Sequence, residues 1–196
     1  MNRSIRKVAV LGSGIMGSRI ACHFANIGVQ ALLLDIAPKE LTEEEKKKNL
    51  TLDHPAVKNR IVNAAFESTL KSSPAALFSK KFASRITLGN FADDMAKIKN
   101  YDWIIEVVVE NLDIKKKVYE EVEKHRTPGT LITSNTSGIP IHLMAEGRSE
   151  DFQKHFAGTH FFNPPRYLKL LEIIPTAKTD SEVTNFLMHY GDLFLG

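Results

Sequence analysis

The sequence predicts an α/β protein, a doubly wound, mostly parallel sheet with a helical arm inserted after the second strand, and three observations carry that expectation. Short apolar runs at Lys7–Leu11, Ala31–Asp35, Trp103–Val109 and Leu131–Ser134 lack the polar alternation of half-exposed strands, as strands buried on both faces do. Segments of helical period separate them, which is the chain order of a parallel sheet covered by helices. Between the first strand and the first helix lies Gly12-Ser13-Gly14-Ile15-Met16-Gly17, a glycine turn of the kind that opens a Rossmann-type nucleotide site.

Each element follows in order. After the glycine turn, Ile15, Met16, Ile20, Ala21, Phe24 and Ala25 recur at helical spacing, and Gly28 supplies the stop. The second strand ends in Asp35. Gly12 permits a tight turn, Gly14 lets backbone approach a pyrophosphate, and Gly17 allows helix and strand to pack closely. The helix N-terminus, with Ile15 and Met16 in its first turn, presents free amides and a partial positive charge to phosphates. Asp35 suits a ribose diol and repels a 2′-phosphate, so NAD is favoured over NADP. A glycine turn that serves packing alone, or a flavin, is the plainer or rival reading of the same residues.

From Pro38 to about Ser84 the strand signal vanishes. Thr42-Glu43-Glu44-Glu45 reads as a capping box, with Glu43/Lys47 and Glu44/Lys48 as i,i+4 pairs on a solvated face. Ile61, Val62, Ala65, Phe66 and Leu70 continue the helical period until Ser73-Pro74 breaks it. Two or three helices are expected in this arm. Its lysines Lys71, Lys80 and Lys81 are read as solvated in the first instance, or as meeting the phosphates of a long substrate.

Arg85–Gly89 is the third strand candidate, followed by a short helix near Phe91–Lys97. Trp103–Val109 is the fourth and delivers Glu110-Asn111-Leu112; Asp113–His125 reads as a helix. The fifth strand, Leu131–Ser134, runs into Asn135-Thr136-Ser137-Gly138. Ligands in such sheets sit beyond the carboxyl ends of the strands, so Asp35, Glu110 and Ser137 converge on one edge. A helix near Ile141–Ala145 and a polar stretch lead to a sixth strand, Phe156–His160. Pro164-Pro165 forces a turn, and Leu168–Ile174 is extended and folds back beside the sixth strand. That fold-back returns Glu172 to the neighbourhood of His160, where a carboxylate fixes the imidazole tautomer and makes it a better base. A lone histidine in apolar sequence is commonly a core residue; His160 stands instead at the cofactor-side strand ends.

Composition bounds the rest. At 196 residues, with 43% hydrophobic and 25% charged, the chain fits one soluble domain. A net charge of +3, with lysines interspersed among glutamates, implies no nucleic-acid partner. No apolar run approaches the ~20 residues of a membrane span. Strand sequence from Lys7 leaves no room for a signal peptide, and a single cysteine, Cys22, excludes a disulfide framework, so a cytoplasmic chain is expected. Cys22 itself reads as a buried small apolar residue rather than a nucleophile.

Taken together, GSGIMG at Gly12–Gly17, LLLD ending at Asp35, VVVENLDIKKK at Val107–Lys117, SNTSG at Ser134–Gly138 and HFFNPP at His160–Pro165 with Glu172 after it resemble the NAD-binding domain of L-3-hydroxyacyl-CoA dehydrogenases. The arm and NPPRYLKLLEIIP look most like the dehydrogenase part of bacterial proteins fused to an enoyl-CoA hydratase. The resemblance implies that His160 takes the proton of the substrate 3-hydroxyl, that Glu172 orients His160, and that Ser137 hydrogen-bonds the reacting oxygen near the nicotinamide. It implies cofactor contacts for Glu110, Lys115 and Asn163, an acyl-CoA substrate, and fatty-acid β-oxidation as the setting. Thr179-Asp180-Ser181-Glu182 resembles a capping box opening a helix through Leu195. The family then continues with a strand, a catalytic-site asparagine and an all-helical domain that usually forms a homodimer; these are expected to lie beyond this chain. A dehydrogenase of another 3-hydroxy acid, such as a sugar acid, and a non-catalytic dinucleotide-binding module are the rival expectations.

Overall fold

A computed structural model of the protein describes residues 3–195. Its sheet has seven strands in the order β3-β2-β1-β4-β5-β6-β7. These are β1 (Lys7–Leu11), β2 (Gln30–Asp35), β3 (Ile86–Asn90), β4 (Trp103–Glu106), β5 (Leu131–Ser134), β6 (Phe156–Phe161) and β7 (Leu171–Pro175). All pair in parallel except β7, which runs antiparallel to β6. The strand order reverses between β1 and β4, and ligands of doubly wound sheets bind in the crevice such a switch opens.

The apolar runs of the central strands are explained by their two buried faces. Along β1, Val8 and Val10 enter one core with Phe24, Leu33 and Trp103, while Ala9 and Leu11 enter the other with Leu34, Tyr119 and Phe152. The first core is covered by α1 (Ile15–Asn26), the arm helix Arg60–Leu70 and the helix Ser181–Tyr190; the second by the helices Leu112–His125, Ile141–Ala145 and Glu150–Lys154. Trp103 packs edge-on against Phe24 at 5.3 Å between ring centres. Burial of each large apolar side chain is worth roughly 1.5–3 kcal/mol, so the two layers fix the sheet and with it the strand ends.

Between β2 and β3 the arm holds α2 (Glu43–Lys47), α3 (Pro55–Lys58) and α4 (Arg60–Leu70), then a 3₁₀ turn over Lys80–Arg85. Thr42 and Glu45 form the expected capping box. The i,i+4 pairs do not form: α2 is too short to carry Lys48, and the exposed pair is Glu43 with Lys46 at 2.7 Å. Glu45 is engaged instead by Arg60 of α4, which ties the two arm helices together.

Other boundaries also shift for identifiable reasons. β4 stops at Glu106 rather than Val109: the Val107 amide still bonds the Leu11 carbonyl at 2.8 Å, but its own carbonyl lies over Gly12 at the glycine turn. The helix α5 (Phe91–Asp94) gives way to a 3₁₀ turn over Met95–Asn100. β7 begins only at Leu171, since the amides of Tyr167 and Leu168 close a turn onto the Pro164 carbonyl. The polar stretch before β6 contains the helix Glu150–Lys154, capped by Ser149 and anchored by buried Phe152. The last helix is capped by Asp180, not Thr179, whose hydroxyl bonds the Phe156 carbonyl at 2.7 Å; after Tyr190 it widens into a π-type turn over Gly191–Leu195. Among the described residues no helix is long and apolar enough to cross a membrane.

Candidate active site at the carboxyl ends of the strands

The glycine turn is shaped by contacts a side chain would destroy. Gly12 has φ +109, and a Cβ there would lie 2.6 Å from the Val107 carbonyl oxygen; a Cβ on Gly17 would lie 1.8 Å from that of Gly12. Around Gly14, by contrast, nothing stands within 4 Å of the Cβ position. α1 begins there without a side-chain cap, leaving its first amides to a ligand. Ser13 donates its amide to Asp35 Oδ2 at 2.6 Å, tying the turn to the end of β2, and Ile36 donates to Oδ1 at 2.7 Å.

A cleft of about 1070 Å³ opens over this turn, lined by Gly12, Gly14, Asp35, Ile36, Val107 and Ile114. Ile15 and Ile36 are exposed there, apolar walls beside an open phosphate cradle and a carboxylate. Those residues fit a dinucleotide: amides for the pyrophosphate, Asp35 for a ribose diol and apolar surface for a base.

A second pocket of about 340 Å³ adjoins the first, with Met16, Val107 and Val108 lining both. Its wall contains His160, Ser137, Glu110, Asn163 and Asn135. In the β6–β7 ladder His160 stands directly opposite Glu172, and Nδ1 lies 2.8 Å from Glu172 Oε2. Thus Nδ1–H donates to the carboxylate, and the second ring nitrogen is the one left to accept a proton. Asn163 is held by Arg19 of α1, whose Nη1 donates to Oδ1 at 2.9 Å.

Glu110 organises the loop after β5. One carboxylate oxygen accepts from the Thr136 hydroxyl and from the amides of Ser137 and Gly138 at 3.3 and 3.2 Å; the other lies 3.3 Å from Lys115 Nζ. Burial alone raises its pKa, but the Thr136 hydrogen bond, the Lys115 charge and the Gly138 amide outweigh this and hold the carboxyl below its ordinary value of 4.5. Cys22 is fully buried in α1, and burial pushes its thiol up to about 12, so it serves packing and not nucleophilic chemistry.

Gly12, Gly14, Ile15, Met16 and Asp35 therefore line the cleft; Met16, Glu110, Ser137, His160 and Asn163 line the smaller pocket. Gly17 sits behind the turn, Glu172 flanks His160, and Lys115 is completely buried behind Glu110. Sequence reading missed Arg19, Thr136 and Glu106: Arg19 and Thr136 act through partners remote in the chain, and Glu106 gains its role only when Lys115, Tyr119 and Ser134 are packed around it.

Residues 7–193 match the family model described as 3-hydroxyacyl-CoA dehydrogenase, NAD binding domain. The chain belongs to that family. A probable 3-hydroxyacyl-CoA dehydrogenase of Bacillus subtilis is 57% identical over 196 residues, all of this chain and 25% of the relative. A putative fatty acid oxidation complex trifunctional enzyme of Rickettsia felis is 38% identical over 183 residues, 93% of this chain and 24% of that protein. The crystal structure of 3-hydroxybutyryl-CoA dehydrogenase from Escherichia coli superposes with a TM-score of 0.69 at 28% identity, covering 96% of this chain and 36% of the other. The chain thus spans about a quarter of the length of these two curated relatives.

Proposed function

We propose that the full-length protein oxidises (S)-3-hydroxyacyl-CoA to 3-oxoacyl-CoA in fatty-acid oxidation, with this chain supplying the NAD site and the catalytic base. The observation that carries the reading is the His160–Glu172 pair at 2.8 Å, in a pocket that shares its wall with the dinucleotide cleft. Bound NAD would supply the hydride acceptor. The chain's own residues do the remaining work. His160 takes the 3-hydroxyl proton as the C3–H bond breaks, the hydrogen departing with both bonding electrons as hydride, and the carbon–oxygen double bond forms from the former O–H pair. Glu172 keeps the ring in the accepting tautomer and balances the imidazolium that results. Ser137, on the loop gathered by Glu110, holds the reacting oxygen, and Asn163, steadied by Arg19, borders the cofactor side of the pocket.

The rest of the longer protein completes the pocket and excludes water, which an open pocket on this chain does not. That remainder includes the helical domain, through which the protein forms a homodimer, and the enzyme works in the cytoplasm.

In the full-length protein, His160→Gln lowers kcat on an (S)-3-hydroxyacyl-CoA by about 10²–10⁴-fold while NADH binding persists. No turnover in the parent overturns the reading in favour of a binding module, and unchanged turnover in the variant removes His160 as the catalytic base. A panel of 3-hydroxy acids without coenzyme A separates it from a dehydrogenase of another 3-hydroxy acid.

A further inference from the structure

The mechanism leaves one buried ion pair unused. Glu106, the last residue of β4, is entirely shielded from solvent, as are Lys115 and Tyr119. Its carboxylate accepts four hydrogen bonds: Oε1 from Lys115 Nζ at 2.8 Å and the Val108 amide at 2.7 Å, Oε2 from Tyr119 Oη at 2.7 Å and Ser134 Oγ at 2.6 Å. Lys115 in turn reaches Glu110 Oε2 at 3.3 Å, and the other oxygen of Glu110 gathers Thr136, Ser137 and Gly138. One continuous ladder therefore runs from the core to two loops. Val107, Val108 and Glu110 on the first and Ser137 on the second line the smaller pocket.

Stability does not explain this arrangement. A buried ion pair is commonly no better than apolar residues of the same volume, because desolvation offsets the attraction. What a saturated carboxylate provides is direction: every donor on it has one place to be.

We propose that Glu106 is a positioning residue for the end of the dinucleotide nearest His160: it fixes Lys115 under Glu110 and the Val108 amide over the glycine turn. Loops 107–110 and 136–138 are thereby set against the smaller pocket, while Gly14 and Asp35, the latter held by Ser13 and Ile36, make none of these hydrogen bonds. The turnover part rests on the dehydrogenase reading; the binding part does not.

The test uses the full-length protein with Glu106→Gln, titrated with NADH and with ADP-ribose, which lacks the nicotinamide. NADH affinity and kcat are expected to fall by about 10–100-fold, as for a misplacement near 1 Å. ADP-ribose affinity stays within about 2-fold, because Gly14 and Asp35 take no part in the ladder and Asp35 is held by the amides of Ser13 and Ile36 instead. Glu106→Gln/Lys115→Met removes both buried charges at once; it should fold where the single variant does not, and show the same split between ligands. Tyr119→Phe deletes one hydrogen bond on the core side and should lower Tm without producing the split. Equal weakening of both ligands, parent-like binding in the double variant, or failure of both Glu106 variants to fold assigns Glu106 a structural role and overturns the proposal. A split seen in a protein that turns over no 3-hydroxyacyl-CoA sinks the functional reading and leaves the assignment of Glu106 standing.

Discussion

Gly17 shows how little room a single residue has at this site. An added Cβ would overlap the Gly12 carbonyl, which is backbone and cannot rotate away, so α1 must lift from β1. Gly17→Ala should cost about 1–3 kcal/mol by overpacking. It should also remove most NADH affinity, because the amides of Ile15 and Met16 leave the pyrophosphate position; thermal melting and fluorescence titration would check both. A variant with unaltered NADH affinity would mean that the turn tolerates displacement and is not the cradle. Residues of this kind were legible in sequence, since spacing and glycine chemistry are local. Arg19, Thr136 and Glu106 were not: Arg19 finds Asn163 only across 144 positions, and Thr136 meets Glu110 across 26.

Among elements, the loop after β5 owes its shape to one ionised group. Glu110 sits below its ordinary pKa of 4.5 because Thr136, Lys115 and Gly138 outweigh burial. A depressed folded pKa contributes stability that is fully present above the unfolded value and is lost as pH falls through the folded one. The stability difference between parent and Glu110→Gln, measured by urea unfolding, should therefore be constant at neutral pH and shrink once pH drops below about 4.5. A difference that persists unchanged well into acid would show that charge is not what gathers Thr136, Ser137 and Gly138. Strand and helix positions were legible because periodicity announces them, and the capping box at Thr42 was found in the sequence. Ends were less so. β4 stops early where the Val107 carbonyl lies over Gly12, and β7 starts late because Pro164 closes a turn.

For the whole molecule, the division of labour predicts an asymmetry. The glycine turn and Asp35 lie within the first two strands and α1, whereas the pocket beside His160 stands open on this chain. Expressed alone, residues 1–196 should bind NADH with an affinity close to that of the full-length protein and turn over acetoacetyl-CoA at least about 100-fold more slowly, for want of water exclusion and substrate alignment. Robust turnover by the isolated chain would sink the claim that the remainder completes the site. The arm is held to the body by Arg166, which donates to the carbonyls of Ala75 and Leu77 at 2.7 and 3.0 Å and stacks on Phe78. No periodicity foretells that clasp.

By itself the sequence determined the sheet, the glycine turn, the acid at the end of β2 and the pairing of His160 with Glu172, because each follows from local backbone preference or from one tight reversal of the chain. Only the tertiary structure decided which groups stand behind them. Glu106 and Lys115 meet in a space no solvent reaches, and a buried charge declares its role only when the elements that enclose it have packed.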